Sequence, residues 1–125
     1  MGGDYDNLDA VRITGIVMVT LPVSDIGEAV SFYEEVLNLR LLEKNEQEAV
    51  MMCGSQKLTL VLQKPFVGGD RGIYLGTPSI YDVQKRLADM PVTILQPPVR
   101  SRNGLVSVIT DYDGNIIHII ETDGI

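Results

Sequence analysis

Apolar residues fall into two similar series along the chain. GIVMVTLPV (15–23) is a strand-length run, and DIGEAVSFYEEVLN (25–38) places apolar residues at 26, 29, 30, 33, 36 and 37, the spacing of one helix face. Asp25 followed by Glu28 opens that helix in a capping-box-like relation, with a carboxylate to accept from free backbone N–H groups and an acid to complement the helix dipole. Three short apolar-rich runs follow, LRLLEK, EAVMMC and KLTLVLQ, separated by turn-formers such as Asn45 and Gly54-Ser55. The pattern then recurs. RGIYLGT (71–77) reads as a strand, SIYDVQKRLADM (79–90) as a helix capped by Ser79 and Asp82, and VTILQ, GLVSVIT and NIIHIIE as three more strands. QPPVRSRNG reads as a loop and Asp113-Gly114 as a tight turn.

Each series has the order β-α-β-β-β, so the expected fold class is α+β. Residues 1–13 read as a flexible lead-in, 14–125 as one domain, 14–64 as module one and 70–122 as module two. Asp25-Ile26-Gly27-Glu28 overlays Ser79-Ile80-Tyr81-Asp82 at an offset of 54, which places Met18 on Gly72. At the last strand the offset is 59, which places Thr59 on His118 and five extra residues around Arg100 and Arg102.

Strand alternation sorts the side chains. Leu58, Leu60 and Leu62 share one face with the helix layer, as do Val19, Leu21 and Val23. Met18, Thr20, Thr59, Val61, Tyr74, Ile116 and His118 lie on the other face and are the candidate ligand-binding residues. Met51 and Met52 must point to opposite sides.

Composition narrows the chemistry. The chain has 125 residues, with one histidine, one cysteine and no tryptophan, so common metal and nucleophile sites are scarce. Apolar residues at 45% and charged residues at 22% fit a folded domain. A formal charge of -7 repels phosphate backbones and anionic membrane surfaces, so nucleic acid and membrane are not expected partners. Short interrupted apolar runs and a lone Cys53 give no signal of secretion, membrane span or intrachain disulfide, and a cytoplasmic protein is the expectation.

VTLPVSDIGEAVSFYEEVLNLRLLE and SVITDYDGNIIHIIE resemble the two most recognisable stretches of the vicinal oxygen chelate superfamily, which includes glyoxalase I, bleomycin resistance proteins, fosfomycin resistance proteins and extradiol dioxygenases. Tyr112 stands where that family usually has proline in the turn. The resemblance implies two tandem βαβββ modules forming a curled mixed sheet around a central pocket, with helices on the outer face, and a homodimer. Metal-dependent members carry ligands at four strand positions, which here hold Met18, Thr59, Gly72 and His118. One imidazole falls short of the three or so protein ligands a catalytic divalent ion takes, so no metal cofactor is expected at the family site.

The expected function is therefore metal-free binding of a small, largely apolar organic molecule, in the manner of the bleomycin-resistance branch. His118 is the candidate polar anchor, with Tyr74 and Thr59 beside it; Arg100 and Arg102 are candidates to receive an anionic group. The alternative is a glyoxalase- or dioxygenase-type enzyme with a non-standard metal site or acid-base chemistry around His118. A third class is a structural or regulatory module, which a pocket filled by side chains would favour.

Overall fold

The computed structural model describes residues 12–122, and most of the expected lead-in lies outside the described residues. Residues 12–17 form no regular element, and the first strand begins three residues later than the run at 15–23 suggests. Module one comprises β1 (Met18–Val23), α1 (Ile26–Ser31), β2 (Arg40–Lys44), β3 (Glu48–Cys53) and β4 (Gln56–Leu62). Module two comprises β5 (Asp70–Thr77), α2 (Ile80–Ala88), β6 (Ile94–Ser101), β7 (Gly104–Thr110) and β8 (Ile116–Glu121). Each builds a mixed four-stranded sheet, in the orders β1-β4-β3-β2 and β5-β8-β7-β6. The first strand of each module runs parallel to the last, and the remaining pairs are antiparallel. This is the expected tandem βαβββ α+β architecture, with sheets that curl without closing.

The register bears out the internal repeat. Thr20 pairs with Thr59 in module one and Tyr74 with His118 in module two, at the offsets of 54 and 59 read from the sequence. Alternation also holds in the core: Leu21, Val23, Ala49, Met51, Leu58 and Leu60 are buried against α1, and Ile73, Ile109, Ile117 and Ile119 are buried in module two. Met52 is only half-buried, so the adjacent methionines do separate.

Both helices start as the capping pattern predicts. Asp25 accepts from Glu28 N–H at 2.9 Å, and Ser79 from Asp82 N–H at 3.3 Å. Glu121, at the end of β8, adds a second acceptor for α2 by taking the Ile80 N–H at 2.9 Å. The expected helix over 25–38 changes character midway. Its α-helical part ends at Ser31, and Phe32–Val36 continue as a π-helical turn. Asn38 then adopts φ 63°, and the chain leaves the helix with Leu39 N–H donating to Tyr33 C=O at 2.8 Å. Arg86 of α2 donates to the exposed carbonyls of Val36 and Glu35 at 2.9 and 2.7 Å, so one module's cation caps the other's helix.

The segment 96–104 is not a loop. Gln96, Pro97, Pro98, Val99, Arg100 and Ser101 belong to β6, and only Arg102-Asn103 turn back into β7. β6 is an edge strand, where a missing N–H costs no ladder bond, and the pairing skips between Gln96 and Val99 to absorb the prolines.

Among the described residues, no helix is long and apolar enough to cross a membrane.

Candidate functional site

The faces of the sheets opposite the helices remain open. On module one Met18 and Thr20 are exposed, whereas Thr59, at 3% exposure, is covered. The cover is Met18 itself: the Thr59 hydroxyl donates to the Met18 thioether sulfur at 2.9 Å. An open hollow of about 400 Å³ lies over this pair, with Lys57, Leu42, Glu48 and Val50 among its walls. A second hollow, of about 330 Å³, is lined by Thr20, Pro22, Val61, Leu62, Gln63 and Arg71. The candidate residues of module one are thus brought into two adjoining depressions on β1 and β4.

On module two, Tyr74 and His118 are cross-strand neighbours and stack, with ring centroids 4.3 Å apart and planes 13° from parallel. Tyr74 is 59% exposed, so its outer surface is an aromatic platform on an open sheet face. Ile116, two residues from His118 on the same face, is half-buried beside this pair. Arg100 is exposed near the end of β6 and Arg102 in the following turn; neither lines the two hollows that hold the module-one candidates.

Asp70 belongs to the site although the strand expected at 71–77 left it out; β5 starts one residue earlier, and alternation from Tyr74 puts Asp70 on its face. The β5–β8 register jumps from Asp70 opposite Ile116 to Ile73 opposite Ile117, so Arg71 and Gly72 have no counterparts on β8. Gly72 takes φ 74°, a left-handed conformation that glycine enters without a Cβ penalty. Two unpaired residues keep the parity of the strand, so the Asp70 carboxylate stays on the Tyr74 face. One oxygen accepts from Gly72 N–H at 2.9 Å and the other lies 3.0 Å from His118 Nε2. These two hydrogen bonds, that from the Gly72 amide foremost, hold the Asp70 carboxyl below its ordinary range. The signal in the sequence was a glycine between expected strand residues, a common mark of a bulge.

The metal positions can now be judged by their chemistry. Met18 and Thr59 are engaged with each other, Gly72 offers no side chain, and His118 is paired with Asp70. Among the described residues no three His, Cys, Asp or Glu side chains gather as a metal-holding group. An imidazole and one carboxylate do not fit the roughly three-ligand requirement of a catalytic divalent ion. Cys53 is half-buried, and burial pushes its thiol pKa up, away from the reactive thiolate.

Fold and site together define a duplicated βαβββ protein whose paired sheets present open, side-chain-lined faces. The Glyoxalase/Bleomycin resistance protein/Dioxygenase superfamily model matches residues 15–119, and the chain belongs to that superfamily. A virulence protein of Salmonella typhimurium, STM3117, is 26% identical over 114 residues, covering 81% of this chain and 79% of its own. Two solved structures share the fold with a TM-score of 0.75. Lactoylglutathione lyase from Agrobacterium tumefaciens is 19% identical, covering 88% of this chain and 95% of its own. TnmS3, an antibiotic binding protein from Streptomyces sp. CB03234, is 23% identical, covering 90% of this chain and 99% of its own. The same fold thus serves a lyase and a binding protein, so function must be argued from side chains.

Proposed function

We propose that the protein binds a small, largely apolar organic molecule on its open sheet faces without a metal ion. The observation that carries this reading is the state of the four family ligand positions, where Met18 and Thr59 satisfy each other, Gly72 is bare and His118 is held by Asp70. The exposed Tyr74 ring, backed by His118, supplies a flat apolar surface, and the imidazole edge supplies a directional polar contact. Calorimetric titration of the protein with Zn²⁺, Ni²⁺, Mn²⁺ and Fe²⁺ is expected to give no stoichiometric submicromolar site. A tight site abolished by His118→Ala would overturn the metal-free reading.

One observation favours a second reading, acid-base catalysis at His118. A carboxylate that accepts from Nε2–H fixes the tautomer and leaves Nδ1 as the free base, the arrangement in which a carboxylate orients a catalytic imidazole. His118 is the chain's single histidine, so its ring nitrogens can be read without ambiguity in a ¹⁵N-labelled sample. At a pH where the ring is neutral, the Nε2–H form is expected to dominate in the native protein and to lose that dominance in Asp70→Ala. A mainly Nδ1–H ring in the native protein would remove the basis for this reading.

A further inference from the structure

The bulge that follows Asp70 leaves the next residue, Arg71, without a partner on β8. Arg71 lines the hollow whose other walls, Thr20, Pro22, Val61, Leu62 and Gln63, all come from module one or its last residue before the linker. Its guanidinium is tethered there. Nη2 donates to Val67 C=O at 2.7 Å, and among the described residues the Nε and Nη1 donors have no acceptor. The linker sets the neighbouring amide in turn: Val67 N–H donates to Gln63 Oε1 at 3.4 Å, which leaves the Gln63 NH₂ group without a partner among the described residues. The Thr20 hydroxyl likewise has no partner among the described residues. The polar side chains of the hollow can therefore all donate: a tethered cation, an amide NH₂ group and a hydroxyl. Its remaining walls, Pro22, Val61 and Leu62, are apolar.

We propose that Arg71, Gln63 and Thr20 form an anchoring subsite for a carboxylate group, and that the ligands of this protein are apolar molecules bearing one. The inference rests on the reading of the sheet faces as a binding surface and adds the ligand's charge. A carboxylate offers two acceptor oxygens in a plane that suits a guanidinium fork, and so matches the free N–H donors of Arg71 and Gln63 and the Thr20 hydroxyl, which donates when it meets an acceptor. Arg71 and Asp70 are consecutive, with Cα atoms about 3.8 Å apart. The anchor therefore lies one residue step from the residue that holds His118 against Tyr74. The net charge of -7 works against anions at long range, so selection has to come from contact rather than from steering. Arg71 takes the role that sequence reasoning offered to Arg100 and Arg102, because it is the arginine that lines a hollow containing candidate residues.

Benzoate and its neutral isostere benzamide are suitable probes, titrated through the millimolar range into ¹⁵N-labelled protein while backbone amides and arginine Nε–H signals are followed. Benzoate is expected to shift the Arg71 Nε–H signal and the Thr20 and Gln63 amides saturably, and to bind about tenfold or more tighter than benzamide, the order set by a charge-assisted hydrogen bond. Arg71→Gln should erase that preference, Arg71→Lys should restore part of it, and the double variant Arg100→Gln, Arg102→Gln should leave it intact. Equal binding of the two probes, or a preference that survives Arg71→Gln, overturns the subsite. Shifts around Tyr74 and His118 without any at Arg71 overturn it too, while leaving the binding-surface reading standing. No saturable shift anywhere with either probe overturns both.

Discussion

Replacing Asp111 by alanine is expected to cost about 3–5 kcal/mol of folding free energy, the range for removing one partner from a buried charged network. Asp111 is 5% exposed and accepts four hydrogen bonds. Tyr33 O–H and the Asn115 side-chain amide reach one oxygen at 2.8 and 3.0 Å, and the backbone N–H groups of Asp113 and Asn115 reach the other at 3.0 and 2.8 Å. Alanine would strand all four donors in or near the interior. The network also couples the modules. Tyr33 belongs to module one, the Asn115 amide donates back to Pro22 C=O at 2.9 Å, Ser24 O–H donates to Asp113, and Tyr112 packs edge-on against Phe32 with centroids 5.0 Å apart. Urea unfolding of native and Asp111→Ala protein checks this; a loss below about 1 kcal/mol would mean that the network relaxes around the deletion. Decoupled modules would unfold in two transitions instead of one.

The repeat was legible because it is written in periodicity. Capping residues at 25 and 79 and the leucine alternation on β4 are local signals, and local signals survive folding unchanged. The DYDGN turn was legible as well, but only as a turn. That its first aspartate would be buried under a tyrosine 78 residues away depends on how the modules meet, which no local pattern encodes. The same limit governs the site. Alternation put Tyr74 and His118 on one face correctly because β5 and β8 pair regularly from Ile73 onward. Asp70 was missed because the strand was read from Arg71, one residue too late, although counting by twos from Tyr74 places it on the His118 face; only for Arg71, unpaired in the bulge, did the period of two fail, with one glycine in a strand-like run as notice. Pro97-Pro98 misled in the opposite direction: prolines usually end strands, yet an edge strand has an outer side that needs no donor.

Tyr33 should make the protein unusually sensitive to alkali. Burial foremost, then the neighbouring Asp111 carboxylate, raises its phenol far above the ordinary value. In the unfolded chain the same group releases its proton near pH 10. Above that pH the unfolded state binds fewer protons than the folded state, so stability present in full below about pH 10 is lost above it, at about 1.4 kcal/mol per pH unit for this one group. Tyr33→Phe removes the contribution. At neutral pH it should cost about 1–1.5 kcal/mol, the order of one hydrogen bond, because Asp111 keeps its other three donors. The two effects oppose each other with rising pH. Native protein starts the more stable, loses its lead as the unfolded phenol ionises, and should be overtaken by Tyr33→Phe near about pH 11. Lysines and the other tyrosines titrate in the same range, but they are common to both proteins and cancel in the difference. Urea midpoints measured in parallel from about pH 8 to pH 11.5 therefore isolate Tyr33. Parallel curves with a constant gap would show that the Tyr33 phenol ionises as readily in the folded protein as in the unfolded chain.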